Sequence, residues 1–110
     1  MSVSLNIGTL NVRGIRGKVK RRALFEFLKH TYLDLIFLQE THSSISDERY
    51  WEIEGGAPIY FSHGSTNSCG VAILMKNNLD IVKTLEPIPG RVIAIYINVQ
   101  STTYALHKLQ

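Results

Sequence analysis

The chain has 110 residues, of which 45% are hydrophobic and 19% charged, with 12 Lys+Arg against 9 Asp+Glu. That length allows one domain, and the apolar fraction excludes disordered, collagen-like and low-complexity classes. The apolar runs fall short of the roughly 20 residues that cross a bilayer. Residues 1–10 lack the basic and apolar regions of a secretory signal. A single cysteine fits a reducing compartment, so we expect an intracellular protein, nuclear or cytoplasmic and not secreted.

Charge is unevenly placed along the chain. The segment 13–29 carries seven basic residues and one acid, whereas the segment 30–60 carries six acids and one base. A basic block followed by an acidic block suits a protein that binds a polyanion at one place and a cation at another. A solvated helix face followed by a solvated loop gives the same pattern, so charge by itself leaves both interpretations open.

The first half of the sequence predicts a strand, a helix and a second strand. Alternating apolar and polar residues at 3–12 are typical of a half-buried strand, which stops at Gly14. Helical periodicity covers 20–32, and the continuous apolar run at 35–38 indicates a strand buried on both faces. Because a helix joins them, we expect the two strands to be parallel. The apolar stripe predicted for the helix comprises Leu24, Phe27 and Leu28.

The second half predicts a polar connection and two pairs of strands. Residues 41–58 are polar and acidic and suit a long loop or a short helix with a turn. Strands at 59–61 and 70–75 are joined by a turn-rich hairpin loop. A strand at 91–97 is expected to pair with a last strand at 103–106. The pattern as a whole is that of an α/β (α+β) protein.

Two polar residues stand at the ends of the predicted parallel strands. Asn11 and Glu40 stand at the carboxyl ends of these strands, which meet at the edge where open α/β folds bind their ligands. One carboxylate and one amide oxygen suit Mg²⁺, which keeps most of its waters and takes one or two carboxylates plus substrate phosphate oxygens. A Glu after a buried strand is also a common loop residue or helix cap, so both interpretations stay open for this pair.

Four motifs occur together in one order. They are T-L-N-V-R-G at 9–14, K-R-R at 20–22, L-Q-E-T-H at 38–42 and S-C-G-V-A-I-L at 68–74. In this order and spacing the chain resembles the N-terminal half of the endonuclease/exonuclease/phosphatase superfamily, which has the DNase I-like fold. Within that superfamily it is most similar to the endonuclease domain of LINE-type retrotransposons. Exonuclease III and abasic-site endonucleases usually end the second strand in Q-E-T-K, whereas this chain has His42 there.

The resemblance implies functions for particular residues. Asn11 and Glu40 fall on positions that bind or position a divalent metal, Mg²⁺ or Mn²⁺, which acts on the scissile phosphate of DNA. Gln39 and Thr41 flank Glu40 and would hold its carboxylate by hydrogen bonds. His42 belongs to the Q-E-T-H motif and is interpreted as local and structural. The basic residues expected to bind DNA are Arg13, Arg16, Lys18, Lys20, Arg21 and Arg22.

The resemblance also implies that residues 1–110 are a partial domain, truncated at the C-terminus. The family domain is a four-layer α/β/β/α sandwich with mixed sheets, and this sequence lacks its Y-A-P-N, Asp-x-Asn and Ser-Asp-His motifs. We therefore expect a Mg²⁺-dependent DNA endonuclease of retrotransposon type that is catalytically incomplete, with the missing C-terminal half as its partner. A sheet without its partner would leave apolar residues facing water and make the fold marginal. Those residues are Ile73, Met75, Ile93 and Ile95.

Two other functions remain open. The basic segment 13–29 would also serve a non-catalytic nucleic-acid-binding fragment, whose affinity would fall steeply with salt. A superfamily member acting on another phosphoester, such as a phosphoinositide or sphingomyelin, would share Asn11 and Glu40. Such relatives rarely combine the Arg-Gly turn, K-R-R and Q-E-T-H, which favours DNA. Neither a membrane nor a small-molecule cofactor is expected as a partner.

Overall fold

A computed structural model of the chain describes residues 5–65, 68–75, 79–99 and 102–109. These residues form two β-sheets with helices packed on one of them. The elements in chain order are β1 (Ile7–Asn11), α1 (Lys18–Lys29), β2 (Leu35–Gln39), a short 3₁₀ helix (Ile45–Asp47), α2 (Glu48–Gly55), β3 (Ile59–Ser62), β4 (Val71–Met75), β5 (Asp80–Ile88), β6 (Val92–Val99) and β7 (Thr102–Leu109).

The first sheet is mixed and has the strand order β1-β2-β4-β3. β1 and β2 are parallel, which confirms the prediction, and their register places Asn11 beside Gln39. β4 is antiparallel to both β2 and β3, so the predicted hairpin is confirmed as well. Residues 35–38 are all buried, as expected for a strand covered on both faces. The carboxyl ends of β1 and β2 and the start of β4 therefore lie at one edge.

α1 is shifted toward the N-terminus relative to the predicted helix. Its buried residues are Arg21, Phe25 and Leu28, at the four- and three-residue spacing of one helix face. The prediction that Phe27 packs on the sheet is wrong, because Phe27 is 60% exposed. Position 27 lies about 200° of helical rotation from Phe25, which is the aromatic residue that enters the core instead.

The second sheet is antiparallel, in the order β5-β6-β7. Its β6–β7 pairing confirms the last predicted strand pair. The sequence pattern predicts no strand at β5, because Lys83, Glu86 and Pro87 interrupt the apolar alternation there. An edge strand tolerates Pro87, which has no N–H for the ladder, and the β5–β6 register shifts between Leu85 and Ile88.

The two sheets pack face to face, and this packing overturns the prediction of an exposed inner face. Ile73 and Met75 of β4 share one buried cluster with Ile93 and Ile95 of β6. None of the four is more than 4% exposed. The prediction is wrong because β5, β6 and β7 already supply the facing sheet within this chain. Burial of one such side chain stabilises the fold by about 1.5–3 kcal/mol.

The helices cover the other face of the first sheet. Phe25 of α1 and Trp51 of α2 pack in a second cluster with Ile36 and Leu74 of the strands. Three layers of the predicted α/β/β/α sandwich are thus present in the described residues. Over the same residues, neither helix has the length and apolar content that a membrane crossing requires.

Candidate metal and DNA-binding site

Asn11 and Glu40 meet at the edge of the first sheet, as their positions in the sequence predict. The side-chain amide Nδ2 of Asn11 donates to Oε2 of Glu40. The amide oxygen Oδ1 of Asn11 accepts the backbone N–H of Arg13 at 3.0 Å. Both bonds require the same amide orientation, because a carboxylate only accepts and an N–H only donates. Asn11 therefore holds the Glu40 carboxylate in place and uses its own oxygen on the Arg13 backbone.

The loops around this pair concentrate left-handed backbone. Among the described residues, positive φ outside glycine occurs at Arg13 (49°), Glu40 (54°), His42 (56°) and Cys69 (63°). These residues lie in the loops that follow β1 and β2 and precede β4, so all of them surround the same edge. Such conformations cost about 1–3 kcal/mol each and cluster at functional sites.

Two glycines allow the loops to approach each other closely. The N–H of Gly14 donates to the Glu40 carbonyl at 2.6 Å, and the N–H of Thr41 donates to the Gly70 carbonyl at 3.1 Å. A Cβ on Gly14 would lie 2.6 Å from Nδ1 of His42, and a Cβ on Gly70 would lie 2.5 Å from Oγ1 of Thr41. Packing of the His42 ring on Gly14 supports its interpretation as a structural residue.

Gln39 and Thr41 support the backbone that carries Glu40. The Gln39 amide donates to the hydroxyl of Thr9 on β1. Thr41 is fully buried, and its Oγ1 lies 2.9 Å from Oγ of Ser43. The contacts of these two side chains thus fix the end of β2 and the loop that follows it.

A hydrogen-bonded chain of side chains lies behind the loop. Oγ of Ser43 is 2.8 Å from Nδ1 of His63, and Nε2 of His63 is 2.6 Å from Oε2 of Glu48. The His63 ring stacks on Phe61 with 5.1 Å between ring centroids. Ser43 is fully buried, so this Ser–His–Glu arrangement ties loops together and offers no accessible nucleophile. Sequence reasoning missed it, because its members come from separate segments without a shared motif.

The basic segment after β1 is exposed at most of its charged positions. Nζ of Lys20 donates to the Arg13 carbonyl at 3.3 Å, which draws the start of α1 toward the Asn11 turn. This surface therefore begins at the candidate site and continues along α1. Its exposed residues, here called the basic surface, are Arg13, Arg16, Lys18, Lys20 and Arg22.

The prediction that Arg21 binds DNA is wrong, because Arg21 is 4% exposed. Its Nε and Nη2 bond to Oε1 and Oε2 of Glu54 at 2.5 and 3.2 Å. Its Nη1 donates to the carbonyls of Ile15 and Arg16 at 3.2 and 2.7 Å. The guanidinium thus joins α1, α2 and the loop after β1. Its spacing to Phe25 on the buried helix face is the signal that distinguishes it from its basic neighbours.

The side chains at this edge that could bind a metal ion are few, and they offer oxygen ligands. The described residues include no group of three or more His, Cys, Asp and Glu that could hold a metal ion. Glu40 is half-buried. One carboxylate with water and substrate phosphate oxygens is the coordination that Mg²⁺ accepts, so the residues present fit that ion.

Two facing sheets with this polar edge define a two-sheet α/β protein of the DNase I-like fold. The chain belongs to the endonuclease/exonuclease/phosphatase family, which it matches over residues 5–109. This confirms the family that the sequence motifs predicted.

Two known proteins illustrate the relationship. The chain is 30% identical over 106 residues to the Transposon TX1 uncharacterized 149 kDa protein of Xenopus laevis, covering 94% of this chain and 8% of that protein. An AP endonuclease from Archaeoglobus fulgidus superposes with a TM-score of 0.65 at 25% identity, covering 93% of this chain and 40% of that one. The chain therefore spans a small part of the transposon protein and less than half of the AP endonuclease.

Proposed function

We propose that this chain is the metal-binding part of a Mg²⁺-dependent DNA endonuclease of retrotransposon type. The observation that carries the proposal is the hydrogen bond from Asn11 to Glu40 at a sheet edge that adjoins the basic surface. Membership of the family supports phosphodiester hydrolysis as the reaction. Similarity to a transposon protein favours DNA as the substrate.

Glu40 is the residue that would hold Mg²⁺ or Mn²⁺, and Asn11 would orient its carboxylate. The amide of Asn11 is fixed on its other side by the Arg13 backbone, so the carboxylate is positioned before any ion arrives. A bound ion supplies Lewis-acid polarisation of the scissile phosphate and stabilisation of the leaving oxygen.

The basic surface would bind the phosphate backbone next to this carboxylate. Arg13 stands two residues after Asn11 in the same hydrogen-bonded turn, which favours contact with a phosphate at the metal. Arg16, Lys18, Lys20 and Arg22 would extend the contact along the start of α1. Contacts of this kind are independent of base sequence and make the affinity depend on salt.

We further propose that the 110-residue polypeptide by itself cleaves DNA little or not at all. The resemblance assigns the water-activating pair and the phosphate-holding groups to motifs that these residues do not contain. A general base contributes about 10²- to 10⁴-fold to the rate, and oriented groups on the phosphate contribute further. The C-terminal half of the domain would supply them.

Mn²⁺ binding, followed by electron paramagnetic resonance, combined with plasmid nicking in Mg²⁺, tests both proposals. The wild-type chain should bind Mn²⁺ and nick very little. Binding to the wild-type chain should weaken the spectrum of free Mn²⁺. Glu40→Gln should leave that spectrum at full intensity, whereas Glu86→Gln, a matched change at an exposed position on β5, should weaken it as the wild type does. Equal Mn²⁺ binding by wild type and Glu40→Gln would contradict the metal site. Robust nicking that Glu40→Gln abolishes would support the site and overturn the proposed inactivity.

Non-catalytic nucleic-acid binding is the second candidate function. It is favoured by the exposure of all five residues of the basic surface. It requires no metal, so DNA affinity would be the same for wild type and Glu40→Gln, with and without Mg²⁺. A DNA-binding curve that stays flat between low and moderate salt would exclude this function.

A further inference from the structure

A groove of about 470 Å³ lies between α1 and α2, outside the candidate metal site. Lys18, Arg22 and Lys29 line its α1 wall and are all exposed. Their spacings of four and seven residues place them on one side of the helix, over a length of about 16 Å. Tyr50 and Ile53 of α2 form the opposite wall and are 53% and 72% exposed. One wall is thus cationic and the other apolar with an aromatic ring.

The Tyr50 ring packs against the buried guanidinium of Arg21. The guanidinium carbon of Arg21 lies 5.6 Å from the ring centroid. Arg21 is itself fixed by its ion pair with Glu54. The ring is therefore held against a buried cation while half of its surface stays available to a ligand. A ring that is already ordered loses little conformational freedom when a ligand stacks on it.

The two acids in the groove do not cancel its positive charge. The Glu54 charge is compensated by Arg21. Glu26, on the α1 wall, contacts His30 at 3.1 Å. Its single negative charge faces the three positive charges of Lys18, Arg22 and Lys29. The net charge along the groove is therefore positive, and its ligand should be an anion.

We propose that this groove binds single-stranded nucleic acid. A cationic wall that follows the phosphates, with an aromatic ring on which a base stacks, is the arrangement that binds single strands without sequence preference. Lys18 and Arg22 belong also to the basic surface, so one strand can run from the candidate site over the start of α1 into the groove. The inference goes beyond the proposed nuclease function, because it requires neither Glu40 nor a metal.

An acidic amphipathic helix fits the groove less well. Such a helix docks by apolar anchors repeated over two turns or more. The accessible apolar wall here consists of Tyr50 and Ile53, one turn of a short helix, and Phe25 at the base is only 4% exposed. The charge extends much further along the groove than the apolar surface does, which favours a phosphate backbone.

Fluorescence anisotropy of a labelled oligothymidine, measured with the full chain and EDTA, tests the proposal. Tyr50→Ala should weaken binding by about fivefold or more, the loss expected for one stacked base. Tyr50→Phe should bind as wild type does, because it keeps the ring. Tyr32→Ala, which removes a tyrosine that is 93% exposed elsewhere, is the matched control. Glu40→Gln should not weaken the binding, which separates this site from the metal site.

The charge on the α1 wall is tested by salt dependence. Lys29→Gln, at the end of the groove away from the candidate site, should lower the slope of log affinity against log salt by about 0.7, the value for one phosphate contact with a single strand. Arg49→Gln, an exposed position on α2 outside the groove, should leave the slope unchanged. Unchanged affinity in Tyr50→Ala together with an unchanged slope in Lys29→Gln would overturn the proposal. So would Tyr50-dependent binding of an acidic peptide by a chain that does not bind oligothymidine.

Discussion

The side-chain amide of Asn11 donates to the carboxylate of Glu40 across the ends of two parallel strands, although 29 positions separate the residues in the chain. The contact exists because β1 and β2 are paired with Asn11 beside Gln39, so the residue that follows β2 lies at the amide. The left-handed φ of Glu40 turns the chain at that point. The pairing of two strands thus assembles the candidate site.

Loss of the Asn11 amide should weaken metal binding without removing the ligand. In Asn11→Ala the Glu40 carboxylate remains but loses the donor that orients it. We expect the Mn²⁺ affinity to fall about tenfold or more, as is usual when the partner of a metal ligand is removed. Calorimetric titration with Mn²⁺ measures the change. Asn6→Ala, an exposed asparagine before β1, should bind Mn²⁺ like wild type; an equal loss in that control would show a general effect.

Neighbouring arginines should separate stability from DNA binding. Arg21→Gln leaves the Glu54 carboxylate, 15% exposed, without its charge partner, so the free energy of unfolding should fall by about 3 kcal/mol. Arg22 lies on the exposed face of α1, so Arg22→Gln should change the free energy of unfolding by less than about 0.5 kcal/mol. Urea denaturation measures the unfolding free energy of both chains. DNA binding should weaken in Arg22→Gln, because that change removes a charge from the basic surface. An Arg21→Gln chain as stable as Arg22→Gln would contradict the ion pair.

Gly70 should tolerate no side chain. Gly70→Ala places a Cβ 2.5 Å from Oγ1 of Thr41 at a φ of +90°, so we expect a loss of about 2 kcal/mol of unfolding free energy. Gly55→Ala is the matched change, since its Cβ, at the last residue of α2, would meet Phe25 at an ordinary 3.7 Å. That variant should change the unfolding free energy by less than about 0.5 kcal/mol. Urea denaturation of both chains distinguishes close loop packing from a general intolerance of alanine.

The interface between the sheets should respond to truncation of its central residue. Ile95 of β6 is fully buried between the sheets, so Ile95→Ala should cost about 2–5 kcal/mol of unfolding free energy. Val82→Ala, at a β5 residue that is 51% exposed, should cost less than about 0.5 kcal/mol. Chemical denaturation compares the two. Equal, small losses would mean that the second sheet does not pack on the first.

His63 should stabilise the loops behind the site. His63→Ala removes the contacts to Ser43 and Glu48 and should lower the unfolding free energy by about 1–3 kcal/mol, because the buried Ser43 hydroxyl loses a partner. His30→Ala is the control, since that side chain is 75% exposed in an exposed pair with Glu26. Thermal denaturation of both chains measures the effect, and matching midpoints would refute a structural role for His63.

Local pattern predicted most elements because apolar spacing reports which faces are buried. The alternation before Asn11 and the apolar run before Gln39 each indicate a strand, and the helix between them requires parallel pairing. The pattern does not predict β5, because this edge strand contains Pro87 and shows little alternation of apolar and polar residues. The sequence predicts Phe27 in the core and Arg21 on the surface, because composition alone does not tell which side of a basic helix meets the sheet.

The sequence by itself determined the family, the parallel strand pair and the two residues at its ends, because motif order and periodicity are properties of neighbouring residues. Only the tertiary structure decided that the inner face is covered, that Arg21 is buried against Glu54, and that Ser43, His63 and Glu48 form one chain of contacts. These outcomes depend on which distant segments become neighbours. A charged side chain is exposed or buried according to the partner that the fold brings to it, and its own position in the chain does not specify that partner.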